Sequence, residues 1–347
     1  MTVIYYEDLR DFSRAIFQKV GLDEFSNKSV TDGLCETSLR GTDSHGIRLL
    51  PHYVNSALRG RKNPTPNFKF TPTFPSFGAL DADNAFGHAA GMKAINHAIE
   101  MAEVQGIGIV SVINSSHCGA MACFALEAAR RGYMAFAFTH ADSLLQSANG
   151  ARPYFGTNPV CMAAPRQGME PYCLDMATSI IPWNRMLIHK ANGQPLPEGV
   201  AANSDGEVTT DPNEAAWLLP VGGYKGYGLA SMVEVLCGIL GGMAWGRHIP
   251  AMYKHPMEQT RNLGQFYMVM RTDGAIDAAD FAHHMAEMSQ EVVSEPTDGK
   301  NKSVMLPGDR ETATAVERLR DGIPLDDDTA SAFRTLAQEY DLAVLMR

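Results

Sequence analysis

Nine consecutive residues, Arg40-Gly41-Thr42-Asp43-Ser44-His45-Gly46-Ile47-Arg48, concentrate hydroxyl, imidazole, carboxylate and two guanidinium groups. Histidine is the side chain that trades a proton near neutral pH. Guanidinium is the natural fork for a carboxylate. His45 with Ser44 beside it, and Arg48, are therefore candidates for proton transfer and for binding an acid. The stretch joins two helical patterns, where catalytic groups tend to lie. It also reads as a polar turn, with Gly41 and Gly46 supplying backbone freedom.

Three further stretches could carry chemistry. Ser116-His117-Cys118-Gly119 follows an apolar run, and ligands bind at strand ends of α/β sheets. His117 is thus a site candidate, while Cys118 reads as a small packed thiol. Leu174-Asp175-Met176-Ala177-Thr178-Ser179 puts a carboxylate at a strand end. Asp175 could bind ribose hydroxyls, orient a histidine or cap a turn. Gly222-Gly223-Tyr224-Lys225-Gly226-Tyr227-Gly228 enters a helix. Its backbone N–H groups and Lys225 suit a phosphate, or form a glycine-rich turn with a solvated lysine. Gly156-Thr157-Asn158-Pro159 is a turn that suits close approach of backbone to a ligand.

Composition narrows the partners. The chain has 347 residues, 45% hydrophobic and 20% charged, with a net charge of −10. No basic run is present, which argues against nucleic acid and anionic membranes as partners. No apolar stretch reaches a membrane span, and the N-terminus lacks a signal-peptide pattern. The six cysteines are scattered, with no Cys-x-x-Cys pair. That pattern suits free thiols in a reducing compartment, so the cytoplasm is expected. No metal-binding spacing is visible, and none of the usual nucleotide fingerprints occurs. The nearest glycine match, Gly106-Ile107-Gly108, opens a strand rather than a helix.

Several elements must position these groups. Leu9, Phe12, Ile16 and Val20 recur at helical spacing, with Gly21 as a stop. Helices are expected at about 24–39 and 47–59. A helix with an Ala-rich face covers about 87–104. Strands are expected at 107–113, 135–139, 160–164, 172–174, 186–189 and 265–270. A helix follows His117 to about Arg131. Residues 140–158 form a long polar loop, and 196–215 are loop-like. Helices follow at about 227–240, 278–295, 310–320 and 327–340. The order is helices, mixed α/β, then helices. The expected division is 1–70 plus 278–347 as a helical domain around a central 71–277 α/β domain.

The ordered set of motifs resembles one family, the malate/L-lactate dehydrogenases that do not use the usual dinucleotide fold. That family includes ureidoglycolate, sulfolactate, diketogulonate and piperideine-carboxylate enzymes. The resemblance rests on Asp43-Ser44-His45-Gly46, Ser116-His117, Gly156-Thr157-Asn158-Pro159 and Leu174 to Ser179. It continues through Thr209-Thr210-Asp211-Pro212, Leu219-Pro220, Lys225-Gly226-Tyr227-Gly228, Asn262-Leu263-Gly264-Gln265 and Leu306-Pro307-Gly308.

The resemblance implies an α/β fold with a non-Rossmann nucleotide-binding domain, built on a largely antiparallel or mixed sheet, plus a helical domain from both chain ends. It implies hydride transfer between NAD, with NADP as the alternative, and a small 2-hydroxy or 2-oxo acid, malate or lactate first. A homodimer is implied as well. His45 with Ser44 matches the family's proton donor, and His117 matches an acid/base histidine. Asp175, Met176, Ala177, Lys225 and Gly308 match cofactor positions. His140 falls where relatives often carry Asn against the cofactor. Arg48 stands three residues after His45, whereas relatives place an arginine four after it, where this chain has Leu49. Alternatives on the same scaffold are a ureidoglycolate dehydrogenase or a cyclic imino-acid reductase. A catalytically silent ligand-binding protein is the non-enzyme alternative.

Overall fold

The computed structural model describes residues 2–301, 303–344 and 346–347. β1 (Thr2–Ile4), α1 (Tyr6–Lys19), α2 (Glu24–Leu39) and α3 (Leu50–Leu58) open the chain. β2 (Lys69–Phe74), β3 (Phe77–Asp81), α4 (Gly87–Gln105), β4 (Ile107–Ser115), α5 (Ala122–Arg130) and β5 (Met134–Thr139) follow. Short strands β6 (Leu145–Gln146) and β7 (Pro153–Phe155) precede β8 (Val160–Ala164), β9 (Tyr172–Met176) and α6 (Trp183–Ala191). Then come β10 (Ala201–Ala202), β11 (Val208–Thr209), β12 (Trp217–Leu218) and α7 (Tyr224–Glu234), with a π-helical turn at Val235–Ile239. β13 (Leu263–Met270), α8 (Ala278–Ser294), α9 (Asp309–Asp321), β14 (Ile323–Leu325) and α10 (Asp327–Tyr340) complete it.

The main sheet has seven strands in the order β2-β3-β4-β13-β5-β8-β9. Only β3 and β4 run parallel; every other neighbouring pair is antiparallel. This is a mixed, largely antiparallel sheet, and it explains the missing glycine fingerprint. Ala90, Ala94, Ala98 and Ala102 of α4 are fully buried in the core that covers the sheet. The fit is close: a Cβ on Gly108 would lie 2.0 Å from the Ala98 carbonyl oxygen. Small residues let helix backbone and strand backbone approach.

A second core joins the two chain ends. Leu9, Phe12, Ile16, Val30 and Leu34 pack with Ile323, Phe333 and Leu336. β1 pairs antiparallel with β14, and Val3 and Arg347 exchange backbone hydrogen bonds of 2.8 and 2.9 Å. α8 bonds elsewhere, through the Gln167 N–H to Ala282 and through Arg166 to Ser289.

Five expectations need correction. The long polar loop expected over 140–158 contains β6 and β7. Residues 186–189 lie inside α6, not in a strand. Leu187 and Ile188 are exposed, and Met186 is the buried residue of that helix. An apolar run read as a short strand is instead one turn of the amphipathic helix that opens after Pro182. Residues 196–215 contain β10 and β11. The helix expected from Tyr227 starts three residues earlier, at Tyr224, because positive φ at Gly222 and Gly223 turns the chain sharply into it. The helix expected from Ile47 begins with a 3₁₀ turn, Ile47–Leu49, before α3.

Candidate active site

The turn after α2 is two successive 3₁₀ turns, Asp43–His45 and Ile47–Leu49, split by Gly46. A Cβ on Gly46 would lie 2.1 Å from Ser38 Oγ, so no other residue fits there. Ser38 Oγ accepts the Ile47 N–H at 2.9 Å. Arg318 of α9 grips Asp43 through two bonds of 2.6 and 2.9 Å. Asn184 Nδ2 donates to the Ser44 carbonyl at 3.2 Å. The turn is thus held from three segments. The result is a fixed His45, whose Nδ1 lies 2.8 Å from Ser44 Oγ.

His117 leaves β4 beside it. Ser116 Oγ donates to the Ala85 carbonyl at 2.8 Å, and Gln265 Nε2 donates to Ser115 Oγ at 3.0 Å. His117 Nδ1 lies 2.7 Å from the Tyr53 hydroxyl. The rings of His45 and His117 stack, with centroids 5.8 Å apart and planes 21° from parallel. Burial, then the charge of Arg48, pushes the His45 pKa below the usual imidazole value. Burial, then His45, Lys62 and Arg261, pushes His117 well below it. Both imidazoles are therefore neutral near neutral pH.

A cavity of about 730 Å³ opens on this pair. Its volume is that of a cofactor or substrate pocket. Ser44, His45, His117, His140, Asp175, Ala177 and Gly308 all line it. Arg48, Met176 and Lys225 do not. Arg48 is exposed, and Leu49 lines the wall instead. Met176 is half-buried at the end of β9, and Lys225 is exposed on the first turn of α7. The approach to α7 is nonetheless tied to the cavity: the Val221 N–H donates to the Thr178 carbonyl at 2.9 Å, next to Ala177.

Two lining groups also hold the fold. Asp175 Oδ2 accepts the Ala122 N–H at 2.8 Å, capping α5 from outside its own chain segment. Burial raises its pKa to about 6, against the pull of backbone N–H groups at Ala122 and Met121. His140 Nε2 accepts the Gly264 N–H at 2.8 Å, and its Nδ1 lies 3.6 Å from the buried carboxylate of Glu234.

Sequence patterns passed over Arg261, Tyr53 and Lys62. Arg261 is 2% exposed and lines the cavity. Its Nε donates to the Pro250 carbonyl at 2.9 Å and its Nη2 pairs with Asp142. Nη1 has no hydrogen-bond partner among the described residues. The signal was near: Arg261 directly precedes Asn262-Leu263-Gly264-Gln265. Tyr53 carries no such signal, since it sits at an apolar position of a helical repeat.

The lining chemistry fits a dinucleotide. Thr139, Ser143, Thr157 and Asp175 line the cavity together with apolar Leu126, Leu144 and Trp217 and with cationic Arg247 and Arg310, a mixture that suits ribose, ring and phosphate. Among the described residues no group of three or more His, Cys, Asp or Glu could hold a metal ion. No helix of the described residues is long and apolar enough to cross a membrane.

The fold is that of a hydroxy-acid oxidoreductase. Residues 4–334 match the family model described as malate/L-lactate dehydrogenase, and the chain belongs to that family. A malate dehydrogenase of Pyrococcus abyssi is 36% identical over 92% of this chain and 90% of its own length. The NAD(+) ureidoglycolate dehydrogenase of Escherichia coli is 32% identical over 89% of this chain and 88% of its own length. The crystal structure of malate dehydrogenase from Entamoeba histolytica superposes with a TM-score of 0.93 at 27% identity, covering 99% of both chains.

Proposed function

We propose that this hydroxy-acid dehydrogenase interconverts malate and oxaloacetate with NAD(H), as a homodimer in the cytoplasm. The observation that carries the reading is the stacked, neutral His45–His117 pair on one cavity wall with the buried guanidinium of Arg261.

The chemistry follows from these groups. The nicotinamide, when bound, accepts or supplies the hydride at the substrate carbon. His117, neutral at pH 7, takes the hydroxyl proton as the alcohol is oxidised and returns it in reduction. His45, with Nδ1 held by Ser44, donates a hydrogen bond from Nε2 to the oxygen where charge develops. The free Nη1–H of Arg261 donates to one substrate carboxylate, and Arg48 adds a second cation near His45. His140, Asp175, Met176, Ala177, Lys225 and Gly308 remain the proposed cofactor contacts.

An exposed apolar stripe supports the dimer. Leu229, Met232, Val235, Ile239 and Leu240 are all exposed along α7 and its π-helical turn. Such a stripe on one face marks an association surface. The six cysteines are free and buried, which suits a reducing cytoplasm.

The test is one panel: NADH and NADPH, each with oxaloacetate, pyruvate, oxalurate and piperideine-2-carboxylate. Fastest oxidation of NADH by oxaloacetate is expected. Preference for oxalurate or for the imine would replace malate with the corresponding alternative. No binding of either dinucleotide by fluorescence would leave a silent ligand-binding protein.

A further inference from the structure

Tyr53 lies behind the catalytic wall and is fully buried. Its ring is clamped on its face by Lys62 Nζ, 3.3 Å from the centroid, and on its edges by Phe86 and His88, each 5.8 Å away between centroids. Its hydroxyl meets two atoms of a single residue. It lies 2.7 Å from His117 Nδ1 and donates to the His117 carbonyl oxygen at 3.2 Å.

A phenol has one proton and can accept at oxygen. With that proton committed to the carbonyl, the oxygen is an acceptor toward Nδ1. Nδ1 must then carry the imidazole proton, and Nε2 holds the lone pair. The hydrogen bond at one ring nitrogen decides the state of the other.

We propose that Tyr53 is a positioning residue for His117: it keeps the proton on Nδ1 and leaves the Nε2 lone pair for the substrate hydroxyl. When Nε2 takes that proton, the Nδ1–H bond to Tyr53 is unchanged. The imidazole therefore cycles between neutral and charged forms with no change of orientation. Ser44 holds the neighbouring His45 in the opposite sense when its hydroxyl donates to Nδ1. The charged and titratable groups facing this pair are Lys62, His88, Arg261, Cys118, Cys123 and Tyr253, along with His45 itself. The inference rests on His117 being the base, but its tautomer can be read without any turnover.

The experiment is ¹⁵N NMR of the histidine-labelled full chain at pH 7.5, with His117→Gln to assign the resonance. The wild-type His117 is expected as the Nδ1–H form, the opposite of a solvated imidazole. In Tyr53→Phe, which keeps the ring, the Nδ1–H to Nε2–H ratio should fall about two- to tenfold, the worth of one hydrogen bond. Turnover in hydroxy-acid oxidation should fall by a similar factor with NADH affinity unchanged. A wild-type His117 found as Nε2–H overturns the proposal, whatever Tyr53→Phe does. So does a tautomer ratio unmoved in Tyr53→Phe. An intact tautomer effect in a protein that reduces no panel substrate would instead sink the functional reading alone.

Discussion

His45 and His117 stack ring on ring, 5.8 Å apart, although one comes from a turn of the N-terminal helices and the other from the end of β4. Neither segment makes the pair alone. Replacing either histidine should therefore disable chemistry without disturbing the dinucleotide. His45→Ala should cost about 10²–10³-fold in turnover, the loss of one donor to developing charge. His117→Ala should cost about 10²–10⁴-fold. Steady-state turnover beside NADH fluorescence titration checks both, and wild-type turnover in either variant would remove that histidine from the mechanism.

The pH dependence has a defined sign. Burial lowers the His117 pKa well below the usual value of about 6.5. Oxidation needs the neutral form, so its kcat/KM should be flat above neutrality and fall only in acid. Reduction needs the protonated form and should accelerate as pH drops. Profiles of kcat/KM in the two directions would show this as mirror-image limbs. A rise in oxidation centred above pH 7 would contradict it.

In the proposed mechanism the spare Nη1 of Arg261 meets a substrate carboxylate, while Asp142 and Pro250 hold the other nitrogens. Arg261→Lys keeps charge and loses the fork. A charge-assisted bond contributes ~1.5–3 kcal/mol, so kcat/KM should fall roughly ten- to a hundredfold. The loss should appear mainly in KM. A KM unchanged for oxaloacetate would assign the carboxylate elsewhere, with Arg48→Ala as the next variant to measure.

Asp175 predicts a stability effect. Its folded pKa of about 6 lies above the ordinary value of 3.8. A raised folded pKa contributes stability that is complete below the unfolded value and is lost as pH climbs through the folded one. The wild type should therefore lose stability relative to Asp175→Asn between about pH 4 and pH 6. Thermal melts of both proteins across that range, compared as a difference, read the effect. A difference independent of pH would mean that folding leaves the Asp175 pKa at its unfolded value.

Lys225 stands at the entry to α7, beside Gly222 and Gly223 and exposed. If it meets a dinucleotide phosphate or ribose, Lys225→Ala and Lys225→Met should both weaken NADH about ten- to a hundredfold. Melting temperature without cofactor should hardly move, since an exposed lysine stabilises little. Equal affinity in all three proteins would take Lys225 out of the cofactor site.

Local signals made much of the molecule legible. α1 follows apolar spacing and the Gly21 stop, α2, α4 and α10 lie within a residue of the expected bounds, and five strands of the main sheet stand where short apolar runs placed them. The polar turn at His45 stood out because its residue types are dense. What sequence did not show depends on distant partners. β1 and β14 are three residues each and exist because the chain ends meet. β2 carries Pro72 and mostly exposed residues, which blur a strand pattern, and among the described residues it pairs only with its hairpin partner β3. α6 misled because apolar Leu187 and Ile188 face outward. Tyr53 looked like one more core position because nothing in its neighbours reveals the imidazole it would meet.

The strand order has a consequence for synthesis. β4 and β5 are joined by a single helix, yet β13 lies between them and pairs with both. β13 leaves the ribosome long after either neighbour. Until it arrives, β4 and β5 each expose an unpaired edge, the form of chain most prone to join a wrong partner. The N-terminal helices wait longer still, for β14 and α10. Non-local pairing of this kind slows folding. A nascent chain halted after β9 has neither its sheet nor its helical core closed, so chaperone capture should be strongest there, should fall once β13 has emerged and should end only after α10.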